Sequence, residues 1–290
     1  MHRKDFIKLS SLGFLGLYSC GISNFKNKKN TLAIQLYTVR DAISANLEKT
    51  LEKLSAMGFT RLEIYGYNGT FFGKNRNEFK EILSNTGMTV ISSHHTTGIR
   101  HQEQGTLLEN WEKSVEDLHF LGSQYMVCSY LFPEERTLEN YRKLPALLEK
   151  SGETAKKAGI QFAYHNHDFE FEKFDGTQTV YDFILNSSSP DLVKMELDLY
   201  WIAKAGIDPL VYFDKYPKRF PLWHVKDMNA GTKDFTEIGN GSIDFQRIFK
   251  AKEKAGLQHW FLEQDSSDKD MFESLRISRD FISRHDFFMK

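Results

Sequence analysis

The stretch LENYRKLPALLEKSGETAKKAGIQFAYHNHDFEF, residues 138–171, holds one complete unit of the fold and the first sign of its chemistry. Residues 138–159 carry apolar side chains at helical spacing, and Gly159 ends them one residue before the apolar run IQFAYH, as expected of a helix-to-strand turn. Where that strand should simply stop, His165, Asn166 and His167 follow, and then acids alternating with phenylalanines. Such a polar cluster is either a surface loop rich in imidazole or the rim of a site that holds a metal.

The same unit recurs in both directions along the chain. Towards the N-terminus, LAIQLY precedes AISANLEKTLEKLSAMGF, RLEIYG precedes NEFKEILSNTGM, TVISSHH precedes LLENWEKSVEDLHFLG, and QYMVCSY precedes the helix quoted above. Towards the C-terminus, IQFAYHNH precedes TVYDFILNSS, LVKMELD precedes a short helical piece near Pro209, PLWHVKD precedes IDFQRIFKAKEKAG, and HWFLEQD precedes DMFESLRISRDFISRH. Gly58, Gly87, Gly122, Gly159 and Gly256 sit where helices hand over to strands. Eight strand-plus-helix units in the span 31–290 predict an α/β protein built as a single closed (β/α)8 TIM barrel rather than an open doubly wound sheet. No glycine-rich phosphate loop follows the first strand, which argues further against the open sheet.

Composition agrees with a packed soluble body: of 290 residues, 40% are hydrophobic and 27% charged. Residues 1–30 hold six Lys or Arg against one Asp, which leaves 32 basic and 38 acidic side chains in the rest. A body of that sign disfavours nucleic acid as a partner. The basic start reads as an export signal. MHRKDFIK is a positive n-region, LSSLGFLGL an apolar h-region too short to span a bilayer, and LYSC closes the segment 1–20 at Cys20. Residues 21–30 are polar and read as a tether. Cys128, flanked by apolar residues, reads as core.

Strand alternation places side chains inside or outside the barrel. With Val193, Met195 and Leu197 facing the helices, Lys194, Glu196 and Asp198 turn inward. By the same parity His224 and Lys226, Glu263, His165 and His167, Gln35, Tyr37 and Glu63 face in. At the C-terminal ends of strands five to eight, His165, Asp198, His224 and Glu263 form a reasonable ligand set for one divalent ion such as Mn²⁺, Zn²⁺, Co²⁺ or Mg²⁺. Lys194 and Glu196 are expected to pair below that site.

These residues carry a resemblance. IQLYTVRD, LEIYGY, ELDLYW, WHVKDM and GNGSIDFQRIFKAKEKAGLQHWFLEQD resemble the xylose-isomerase-like barrel family of sugar phosphate isomerases and epimerases over roughly 31–286. The resemblance implies a metal held by a Glu, an Asp, a His and a second Glu, which carries over to Asp198, His224 and Glu263. His165 stands where the first Glu is expected, a departure that resembles the histidine-rich strand of inosose dehydratases in the same superfamily. LYSC resembles a bacterial lipobox, and RKDFIK a twin-arginine signal with Lys4 in place of the second arginine. Both imply an exported protein, periplasmic or membrane-anchored through a lipid at Cys20.

The chemistry implied is proton abstraction beside a carbonyl. Glu263 is the expected base, with His167 as acid or second base. Lys226, Glu63, His94, Gln35, Tyr37, Trp201 and Asp227 are the expected contacts of a small carbohydrate substrate. His94 with His95 also reads as a solvated loop pair. Three functions fit: an isomerase or epimerase of a keto sugar or polyol, a lyase on a ketosugar, cyclitol or 3-keto-glycoside, and a non-catalytic sugar-binding lipoprotein. A homo-oligomer is left open.

Overall fold

The computed structural model describes residues 32–288. The expected signal, Cys20 and the tether lie outside the described residues. Eight parallel strands close on themselves: β1 Leu32–Gln35, β2 Phe59–Ile64, β3 Thr89–Thr96, β4 Tyr125–Tyr130, β5 Gln161–His165, β6 Val193–Asp198, β7 Leu222–Val225 and, after a small antiparallel pair β8 Asp227–Met228 and β9 Phe235–Thr236, β10 His259–Leu262. Around the barrel the order is β1-β10-β7-β6-β5-β4-β3-β2. The predicted (β/α)8 barrel is therefore the observed one. Among the described residues no helix is long and apolar enough to cross a membrane.

The helices begin and end where local chemistry says they should. Thr137 caps the helix Leu138–Lys157 by accepting from Asn140 N. Asn75 and Glu78 form a reciprocal capping box on Arg76–Thr86, which stops at Gly87 in the left-handed region, φ 66°. One element differs from expectation. The first long helical stretch is broken into Arg40–Ala45 and Leu47–Ala56, because Asn46 is extended and its side chain accepts from Lys49 N. An asparagine is worth more as a cap than inside a helix.

Two apolar layers hold the barrel. Outward-facing strand residues such as Phe162, Tyr164, Met195, Leu197, Trp223 and Val225 pack under the helices. Inside, Ala33, Ile91, Val127, Ala163, Leu222 and Phe261 form a separate apolar plug. Full burial of the larger side chains contributes roughly 1.5–3 kcal/mol each. Above Ala33, Ala163, Leu222 and Phe261, two residues further along the same strands, stand Gln35, His165, His224 and Glu263, so the plug is the floor beneath a polar tier.

β3 departs from simple alternation. Leu62 pairs with Val90, but Glu63 pairs with Ser92, so Ile91 is an extra residue in the ladder. Such an insertion re-aims the side chains that follow. His94 therefore turns into the barrel. His95 turns out against Trp111, ring centroids 5.1 Å apart, with Nδ1 on the Gly105 carbonyl.

Candidate active site

Five ligand-type side chains from five strands meet above the plug. Glu63 Oε2 accepts from Gln35 Nε2 at 2.8 Å and lies 3.0 Å from His94 Nε2 and 2.5 Å from His224 Nε2. Glu196 Oε2 lies 2.7 Å from His94 Nε2, 3.0 Å from His165 Nδ1 and 3.3 Å from His224 Nε2. The strand register makes the meeting possible, since His165 pairs with Glu196 and Gln35 with Glu63. Burying two carboxylates is costly unless cations or hydrogen bonds compensate. Burial would push His94 down, but Glu63 and Glu196 outweigh it and carry its imidazole up to about 9. Burial together with the neighbouring His224 holds His165 well below the usual histidine range.

This cluster suits a metal. His94, His165, Glu196 and His224 offer ligand atoms all within 4.8 Å of one another. Spacings of 2.7–3.3 Å from Glu196 to the three imidazoles approach the roughly 3.0–3.4 Å between neighbouring ligands of an ion with metal–nitrogen bonds of about 2.0–2.1 Å. Glu63 Oε1 and Glu196 Oε1 are buried with no partner among the described residues, a state that buried polar atoms rarely keep. Glu196 thus belongs to this cluster and not to a pair with Lys194, whose ammonium instead reaches the Lys218 carbonyl at the opposite end of the strand.

A second group, Asp198, His224 and Glu263, shares His224 with the first. It already surrounds a cation. Lys226 Nζ lies 3.1 Å from Asp198 Oδ2, 2.7 Å from Glu263 Oε2 and 3.1 Å from Asp265 Oδ2. Burial opposes its charge, but Asp198, Asp265 and Glu263 hold the ammonium well above its ordinary range. Glu263, the expected base, is pulled the other way: despite burial, Lys226 and His224 keep its carboxylate well below the usual range. Asp265 differs. Burial, aided by Glu263 and Asp198 and opposed by Lys226, lifts it to about 6.

The polar tier opens into a cavity of about 890 Å³ lined by Tyr37, His94, His165, His167, Trp201, Lys226, Glu263 and Asp265, among others. His167 stands beside His165, ring centroids 5.1 Å apart, on a turn held by Glu170, which accepts from His167 N and from the Tyr164 hydroxyl. His167 Nδ1 and Trp201 Nε1 are buried without partners among the described residues. Of the expected substrate contacts, Tyr37, His94, Trp201 and Lys226 face this cavity. Glu63 and Gln35 are fully buried in the tier below, where Gln35 is spent on Glu63 and Tyr37 N.

Asp227 turns away altogether. Its carboxylate accepts from the backbone of Met228, Gly239, Gly241 and Ile243. Residues not anticipated include Asp265, two positions beyond Glu263 and so on the same face, a parity signal that could have found it. Tyr130 at the end of β4, with Phe132, Arg136 and His101 in the loops, also lines the cavity; nothing local in the sequence marks them.

Comparison with known proteins agrees with this architecture. The profile of the xylose isomerase-like TIM barrel family matches residues 51–282. An inosose dehydratase of Lacticaseibacillus casei is 24% identical over 262 residues, 78% of this chain and 85% of its own length. The crystal structure of a sugar phosphate isomerase/epimerase from Parabacteroides distasonis ATCC 8503 superposes with a TM-score of 0.79 at 27% identity, covering 92% of this chain and 97% of that one. IolI, crystallised with a zinc atom, shares the fold at 15% identity, TM-score 0.69, covering 89% and 98%. The chain belongs to the xylose isomerase-like TIM barrel family, a family of enzymes.

Proposed function

We propose that this member of the xylose isomerase-like TIM barrel family is a metal-dependent lyase that removes water or an alcohol from a cyclic keto sugar or keto polyol by β-elimination. The observation that carries the reading is the Lys226 ammonium, with Asp265 beside it, at the floor of the cavity directly above a cluster of histidines and glutamates. His94, His165, Glu196 and His224 would hold the ion. Asp198 and Glu263 instead serve Lys226, whose positive charge disfavours a divalent ion between them. When bound, the ion supplies Lewis-acid stabilisation of negative charge on a carbonyl oxygen.

The protein's own groups do the rest. Lys226 donates a charged hydrogen bond towards the oxyanion that develops as the neighbouring carbon loses its proton. Asp265 takes that proton: it faces the cavity and ionises near 6, close to the operating range in which a general base is most effective. Glu263 is held as an anion by two cations and so is the poorer acceptor. His167, with its free Nδ1, and Trp201, with its free indole N–H, orient the oxygen that departs.

The inosose dehydratase relatives support elimination. The isomerase/epimerase named for the Parabacteroides structure supports a second reading, in which the same proton is returned and nothing leaves. Incubation of a panel of cyclic keto sugars and keto polyols in heavy water separates them. A conjugated enone with loss of water or alcohol is expected. Deuterium exchange with epimer formation and no elimination would replace the lyase by the isomerase, and neither event across the panel would overturn both. Asp265→Asn is expected to lower turnover roughly 10²- to 10⁴-fold, the usual contribution of a positioned base.

A further inference from the structure

The cavity extends well beyond the groups that perform chemistry. Starting at His167, rings step outward edge to face: Tyr130 at 4.9 Å, Phe132 a further 5.4 Å on, and His101, exposed at the rim, another 5.4 Å beyond. Across the same cavity Tyr37, 41% exposed, meets Tyr65 edge to face at 5.3 Å. One sugar ring seated against His167 and Tyr130 leaves Phe132, His101, Tyr37 and Tyr65 with nothing to cover.

This outer chamber is built rather than incidental. The loop that carries His101 and the loop that carries Phe132 are clamped together by Glu135, 1% exposed, which accepts from Thr97 Oγ1 and Arg100 N through one oxygen and from Phe132 N through the other. Arg40, Arg136 and Lys204 at the mouth lie over the rings of Tyr37, Phe169 and Trp201 at 4.5, 3.5 and 4.6 Å. None of the three has a carboxylate within ion-pair distance among the described residues, so they stiffen an aromatic wall instead of closing it with salt bridges. At about 890 Å³ the cavity falls near the top of the roughly 300–1,000 Å³ that encloses a drug-sized ligand.

We infer that the substrate carries two rings, with the reacting ring at the Lys226 floor and a second ring, sugar or aryl, in the chamber formed by Phe132, His101, Tyr37 and Tyr65. Resting on the elimination reading, the second ring is the group that leaves. The proton beside the ketone goes to Asp265 and its electron pair becomes the carbon–carbon double bond. The bond from the next carbon to the linking oxygen breaks with its pair on oxygen, which takes up a proton and departs as a ring-bearing alcohol. No oxidant or reductant is consumed.

Calorimetric titration of the full chain with methyl and phenyl β-glucopyranoside tests the chamber without requiring turnover, since neither probe has a ketone. The phenyl glycoside is expected to bind roughly tenfold more tightly, the worth of one well-placed ring contact, and to lose most of that gain in Phe132→Ala and in Tyr37→Ser. The Tyr37 side chain is exposed, so its loss leaves the core intact. Equal affinities, no measurable binding of either probe, or a gain retained in both variants overturns the inference. The chemistry is judged separately by the heavy-water experiment, so a failed chamber and a failed lyase give different results.

Discussion

Lys226 is the residue that divides the polar tier in two. With its ammonium set among Asp198, Glu263 and Asp265, the outer carboxylates have their counter-charge, while Glu63 and Glu196 below are met by imidazoles and the Gln35 amide, each with one oxygen unpartnered among the described residues. Variants on the two sides should behave differently. His94→Ala or Glu196→Gln is expected to lose the ion on gel filtration after loading with Mn²⁺, Zn²⁺ or Co²⁺. Asp198→Asn should retain it, because Asn can still cap the helix at Tyr200 N and Trp201 N. Elemental analysis of the eluted protein reads the result, and retention by the first pair with loss by the third would move the ligand set outward. Inward parity was visible in the sequence for Glu196, His224, Lys226 and Glu263. What parity does not convey is height along the barrel axis, or which of several inward acids a lysine reaches across it; hence Glu196 was expected beside Lys194.

At the scale of elements, the eight strands and their glycine-terminated helices were legible because period and punctuation are local properties. The extra residue in β3 was not. TVISSHH reads as uniform alternation, and only the pairing of Glu63 with Ser92 reveals that His94 and not His95 faces in. Asp227 shows the same limit, since its role depends on amides that lie up to sixteen residues downstream in the connection closed by β8 and β9. Asp227→Ala should therefore act on that connection. With four backbone donors left without their acceptor, a loss of at least about 1.5–3 kcal/mol is expected, measured by denaturant unfolding, together with faster amide exchange at 239–243 and an unchanged metal content.

The turn bearing His167 offers a pH test. Burial lifts Glu170 to about 8, above the roughly 4.3 of an unfolded-chain glutamate. A carboxyl raised in the folded state favours folding fully below the unfolded pKa, and that contribution fades as pH climbs through the folded one. Glu170→Gln removes the titration, so its stability relative to the parent should improve steadily between pH 5 and pH 8. A constant difference in unfolding midpoint over that range would show that the group does not titrate there.

For the molecule as a whole, closure is uneven. β1 and β2 share four register pairs, whereas β1 meets β10 through the single pair Ile34 and Leu262. The ligand-type residues come from β2, β3, β5, β6 and β7 and so tie together strands on both sides of the barrel. Beneath them the apolar plug offers an ion no polar route, and above them lies the ring-lined cavity. That stacking imposes a queue. On the proposed reading, a guest in the chamber would stand between an ion at the His94–Glu196 cluster and bulk water, and would have to leave before the ion could. Metal stripping by a chelator should slow in proportion to chamber occupancy when phenyl β-glucopyranoside is added, and a stripping rate indifferent to the glycoside would reveal another exit. On the same proposed reading, a barrel arranged in this way would keep its metal longest when substrate is plentiful and surrender it most readily when starved.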